Sequence, residues 1–127
     1  MYSFSKQLSI GYHEALEKVA EALQAEGFGI ITEIDVRETM KKKLGIDRRP
    51  YKILGACNPE LANRALDADP DIGLLLPCNV VVREEQDGSV TVAFMDPVAV
   101  LELTGRSGIE TLAGEVRARL QRVRDSL

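Results

Sequence analysis

The sequence has no tryptophan, one histidine, two cysteines and only 5% aromatic residues, and each scarcity closes a class of function. Without tryptophan and with so few rings there is no platform on which nucleic-acid bases would stack. Cys57, Cys78 and His13 are the whole supply of soft metal ligands, whereas a structural zinc site takes three or four, usually in close pairs. The cysteines are too far apart for the Cys-x-x-Cys of a dithiol oxidoreductase. A cysteine nucleophile has His13 as its one imidazole base, and neighbouring Glu14 and solvent account for that histidine near the start of a helix. Glycine-rich loops of the phosphate-cradling or dinucleotide type are missing. No apolar run approaches the ~20 residues that cross a bilayer, and the amino-terminal residues Met1 to Lys6 contain no signal-peptide core. These absences predict a cytoplasmic protein with reduced thiols, no membrane partner, no cofactor and no metal.

What is present is a chain of 127 residues with 45% hydrophobic and 28% charged residues, ordinary values for a globular domain, so one domain over residues 1–127 is expected. Sixteen basic against 20 acidic residues give a net charge of −4, which offers no general attraction to nucleic acid. Basic residues do cluster, at Lys41 to Lys43 with Arg48 and Arg49, and again from Arg106 to Arg124. Solvated helix faces and carboxyl-terminal helix turns explain them.

Hydrophobic periodicity organises the rest. Residues 2–8 alternate as a strand. Leu16, Val19, Ala20 and Leu23 recur at helical spacing before Gly27. Phe28, Ile30, Thr32 and Ile34 then predict a strand with those four side chains on one face. Asp35 and Glu38 form a capping-box pattern for a short helix with a Val36, Met40 and Leu44 stripe, ended by Gly45. Tyr51 to Ala56 is the third strand. Asn58 followed by Pro59 starts a helix predicted to bury Leu61, Ala62, Ala65 and Leu66, because asparagine caps and proline fits the first turn. Pro77 excludes its surroundings from the middle of a sheet. Val80 to Glu85 and Ser89 to Met95 flank Asp87-Gly88, a hairpin signal. Asp96-Pro97 repeats the cap-and-proline device. Ser107 with Glu110 predicts a capping box for a last helix whose Ile109, Leu112, Ala113, Val116, Leu120 and Val123 form a wide stripe, covering either the chain's own sheet or a second subunit. The hairpin and the number of helices predict an α+β two-layer sandwich, with helices on a largely antiparallel five-stranded sheet; the β-α-β segments leave a mixed sheet open.

Two Cys-Asn pairs stand out, Cys57-Asn58-Pro59 and Pro77-Cys78-Asn79. Together with Gly27-Phe28-Gly29, Glu33 to Val36, Tyr51 to Pro59, Gly73 to Val82 and Asp96-Pro97, they make the chain resemble the domain of unknown function 302 family, over nearly all of it up to about Gly105. The resemblance implies a compact α+β fold and a homodimer, and implies no activity. The residues themselves point to one pocket, lined by the Cys57 end of the third strand and the Cys78 start of the fourth. Asn58 and Asn79 belong to it, and Tyr51 or Lys52 contribute. Three readings follow: a non-catalytic homodimer binding a small molecule or a metal at the Cys-Asn motifs; a thiol-dependent enzyme or redox sensor using Cys57 with Cys78 resolving; or a structural dimer in which the motifs only fix strand ends and the last helix forms the interface.

Overall fold

The computed structural model describes residues 1–127. Five strands, β1 (Ser3–Leu8), β2 (Gly29–Asp35), β3 (Tyr51–Cys57), β4 (Cys78–Glu84) and β5 (Val90–Met95), form one sheet in the order β1-β5-β4-β3-β2. Every neighbouring pair is antiparallel, so no mixed pairing occurs. The helices are α1 (Tyr12–Ala25), α2 (Val36–Leu44), α3 (Pro59–Ala68), α4 (Pro97–Leu101) and α5 (Ile109–Ser126), with 3₁₀ turns at Pro70–Leu75 and Glu102–Thr104. The result is an α+β two-layer sandwich.

Strand alternation decides which face the helices cover. Leu54, Val80, Val82, Val92 and Phe94 point inward and are almost wholly buried. They meet Ala15, Val19 and Leu23 of α1 and the apolar stripe of α5 in one core. The α5 stripe is therefore used inside its own chain: Ile109, Leu112, Ala113, Val116, Leu120 and Val123 are all buried. Phe4 stacks on Phe94 with ring centroids 5.5 Å apart, and the Arg124 guanidinium lies 5.1 Å from the centre of the Phe4 ring. The end of α5 is thereby tied to β1.

Three helical starts use the same device. Asn58, Asp69 and Asp96 each precede a proline, and each side chain accepts a backbone N–H, from Leu61 at 3.2 Å, Asp71 at 3.0 Å and Val98 at 3.0 Å. These caps explain why three polar side chains tolerate burial. Asp35 caps α2 in the same way, accepting from Glu38 N at 2.9 Å.

Four sequence expectations need correction. β2 carries a bulge between Ile30 and Thr32, which puts those two residues on opposite faces, so the single apolar face expected of Phe28, Ile30, Thr32 and Ile34 does not exist. Ile34 is half exposed as a consequence. Leu66 of α3 is exposed where burial was expected, because the face of α3 that meets the core is centred on Leu61 and Ala65. The Ser107 capping box does not form: Gly108, at φ 89°, stands at the N-cap without a side-chain bond. Leu44 of the α2 stripe is also exposed, and α2 buries no residue.

The outer face of the sheet has a different character. Ile34, Ile53, Val81 and Ala93 are register partners in one continuous row across four strands, ending at Ser5 of β1. Alternation turns this row away from Leu54, Val80 and Phe94, and none of its members is buried.

Candidate ligand-binding site

A cavity of about 290 Å³ opens where β3 ends and β4 begins. Antiparallel register creates it: Ala56 lies opposite Cys78, so the end of one strand and the start of the next stand side by side. Both cysteines and Asn58 line the cavity. Helix α3, launched by the Asn58 cap, supplies Leu61, Ala62, Ala65 and Leu66 as one wall. Leu112 and Val116 of α5 form another, and Leu76 and Pro77 close the third side after a cis Leu76-Pro77 peptide. Phe28 and Leu101 complete the floor, and Ile31 completes the rim. Thirteen of the 15 lining residues are hydrophobic, and none carries a charge. Ile31 and Leu66 are 62% and 44% exposed, which places the opening beside them.

The remaining expected site residues lie elsewhere. Asn79 is the partner of Gly55 and is exposed, because alternation along β4 turns it to the face opposite Cys78 and Val80. Tyr51 and Lys52 begin β3, six and five residues before Cys57, a separation of roughly 20 Å along an extended strand. Tyr51 lies there with Arg83 and Glu85, and Lys52 pairs with Glu33. None of these three lines the cavity. Sequence reasoning in turn missed the walls given by Phe28, Leu101, Leu112 and Val116. The one available signal was Ala62 with Ala65, small residues where a helix facing a packed core usually carries larger ones.

The two sulfurs differ in setting. Cys78 is 7% exposed, and burial, with a smaller contribution from the neighbouring Cys57, pushes its thiol up to about 11. Cys57 is partly exposed at the mouth of α3, and both cysteines are free. No group of three His, Cys, Asp or Glu side chains is placed to hold a metal ion anywhere in the molecule.

A first expected outcome follows from these settings. At pH 8, iodoacetamide should modify Cys57 and leave Cys78 intact until the protein unfolds, as read by peptide mapping; equal modification of both in the folded protein contradicts the assignment. The raised Cys78 thiol also fixes a sign. The folded state holds its proton more tightly than the unfolded chain, so this contribution is fully present below about pH 9 and is lost as pH rises towards 11, amounting to about 2–3 kcal/mol. Tyr12, raised to about 12 chiefly by burial, adds a further loss above pH 10. Comparison with Cys78→Ala isolates the cysteine's share: the slope between pH 9 and 10 should flatten in the variant.

Comparison with known proteins places this geometry in context. The family model described as "Domain of unknown function DUF302" matches residues 4–127. The crystal structure of the uncharacterized conserved protein DUF302 from Bacillus stearothermophilus is similar to this chain at 30% sequence identity. The match covers 99% of this chain and 98% of that one, with a TM-score of 0.92. Among curated proteins none matches.

Proposed function

We propose, from the premise that the chain belongs to the DUF302 family, that it is a single-domain, non-catalytic, homodimeric module that binds a small molecule in the cavity beside Cys57, Asn58 and Cys78. One observation carries the reading: the side chains that surround this space leave about 290 Å³ unfilled and open to the outside, with an almost wholly apolar lining. Apolar concavities of this kind are the usual form of small-molecule sites. A catalytic reading lacks a base to activate its thiols there, since no carboxylate, imidazole or cation lines the cavity. A cytoplasmic setting keeps the two thiols reduced.

Native mass spectrometry of freshly purified protein tests the binding reading. The expected result is an added mass beyond that of the chains, lost on denaturation and too light for a polypeptide. A chain mass with no addition, in protein that also fails to take up small apolar probes, overturns it.

The homodimer has its support on the uncovered sheet face. A twofold axis through the middle of the Ile34, Ile53, Val81 and Ala93 row lays the row on itself, as an isologous contact requires. Val81→Glu places a charge at the centre of that face. The mass measured by size exclusion with light scattering should fall from two chains to one, while the circular dichroism spectrum is unchanged. A dimer that survives the substitution, or a monomeric parent, contradicts the assignment. The proposed interface does not involve α5, whose stripe is buried within its own chain.

A second reading has one specific observation in its favour. Cys57 and Cys78 both line the cavity from adjacent strand ends, one register step apart, which puts two free thiols in one neighbourhood. Cys78 as the resolving partner is disfavoured by its burial and its raised thiol. A denatured mass two hydrogens light, without reductant, favours this reading over simple binding.

A further inference from the structure

Resting on the binding reading, the geometry points to the class of molecule the cavity takes: an uncharged, mostly hydrocarbon compound of roughly ten non-hydrogen atoms with one hydrogen-bond acceptor, such as a ketone, held by the Asn58 amide.

Size comes from the volume. About 290 Å³, at about 30 Å³ for each water-sized group, is room for roughly ten such groups. Charge comes from the lining. Lysine, arginine, histidine, aspartate and glutamate are all missing from it, and an ion moved into such a space gives up its hydration with nothing in return. Arg119 lies near Asn58 beside Gly27, but it is engaged by the Glu26 carbonyl at 3.2 Å and by Glu115 at 3.5 Å, and it does not line the cavity. An anionic headgroup therefore has no counter-charge waiting for it.

The acceptor is called for by Asn58. This is the one lining residue with a nitrogen or oxygen in its side chain, and it is 9% exposed. Its Oδ1 is occupied, accepting from Leu61 N at 3.2 Å as the α3 cap. That bond also settles the amide orientation, since only the oxygen can accept. Nδ2 is left without a hydrogen-bond partner in the chain. It packs against Gly27, where a Cβ would come within 2.8 Å of it. Nδ2 is not sealed from the surface, for the one fully buried side-chain nitrogen or oxygen without a hydrogen bond is Arg117 Nε, which is ion-paired with Asp96 Oδ2 at 3.2 Å. Asn58 lines the space, so a ligand oxygen there offers its amide a partner that the chain does not, and a carbonyl is the acceptor that brings no charge with it. The thiols of Cys57 and Cys78 are weak donors and add little polarity.

The test titrates the full-length protein by calorimetry at pH 7 with three probes of similar size: acetophenone, ethylbenzene and benzoate. Acetophenone should bind about fivefold more tightly than ethylbenzene, the ratio one neutral hydrogen bond supplies, and benzoate at least a hundredfold more weakly than either. Asn58→Ser keeps a side chain that caps α3 but replaces the amide donor by a hydroxyl on a shorter side chain, out of reach of a ligand oxygen placed for Nδ2. The ketone should lose its fivefold advantage in this variant while ethylbenzene is unchanged. Asn58→Asp also keeps the cap, adds a charge beside the cavity, and should weaken both neutral probes. If benzoate binds as well as acetophenone, or the ketone advantage survives Asn58→Ser, the ligand class is wrong and the binding site stands. If none of the three probes binds, the site and the class fail together.

Discussion

Replacing Gly55 by alanine should destabilise the protein by about 2–3 kcal/mol and lower its melting temperature by on the order of 10 °C. Gly55 sits buried in β3 between β2 and β4, opposite Thr32 and Asn79. A Cβ built there falls 2.0 Å from Thr32 Oγ1 and 2.7 Å from Pro77 Cγ, both well inside van der Waals contact. The threonine hydroxyl belongs to an edge strand and can rotate away. The proline ring cannot, because it closes one side of the cavity and its own backbone is fixed by the start of β4. The strain therefore passes to the register between β3 and β4, which is what sets Cys57 beside Cys78. Thermal unfolding followed by circular dichroism measures the loss. Thr32→Ala in the Gly55→Ala background should recover part of it by removing the nearer of the two contacts. A Gly55→Ala variant that melts within 1–2 °C of the parent, on the order of the error of such a comparison, contradicts the packing described.

The second large effect is on binding. Ala65→Phe should reduce the affinity for acetophenone by at least a hundredfold while leaving the fold intact. Ala65 is 3% exposed and lines the cavity from α3, one helical turn after Leu61. Its small side chain is one reason the space exists. A phenyl ring fills part of that volume with apolar surface and brings no unpaired polar group, so the fold gains contacts as the ligand loses room. Calorimetric titration of the variant, with its melting temperature as the control, checks both halves. A variant that melts like the parent and still binds the probe would place the ligand somewhere else on the molecule.

Much of this architecture was legible in the residues, for local reasons. Asn58-Pro59 and Asp96-Pro97 start helices because a side-chain acceptor and a proline suit the first turn, and both do so in the structure. Asp87-Gly88 makes the β4 and β5 hairpin, and the α5 stripe is buried along its full length. What could not be read depends on neighbours distant in sequence. The β2 bulge shows no local signal between Ile30 and Thr32, and it decides which side chains face the helices. Ser107 and Glu110 satisfy a capping pattern, yet Gly108 takes a left-handed conformation and ends it. The site shows the same division. Cys57, Asn58 and Cys78 come together because two strands are antiparallel in one register. Period-two alternation sends Asn79 to the other face, and strand length carries Tyr51 and Lys52 away. The walls from α5 and from Phe28 belong to tertiary packing, which no pattern within the Cys-Asn motifs encodes.

On the proposed function, a small neutral molecule occupies the space between α3, α5 and the ends of β3 and β4. Chemical-shift mapping of the isotopically labelled protein during an acetophenone titration tests it most directly. The backbone amides of Cys57, Asn58, Ala65, Cys78 and Val116 should move together and saturate at one concentration, while those of Ile53, Val81 and Ala93 on the outer sheet face stay in place. Shifts confined to the outer face, or no saturable shifts at the cavity, would contradict it.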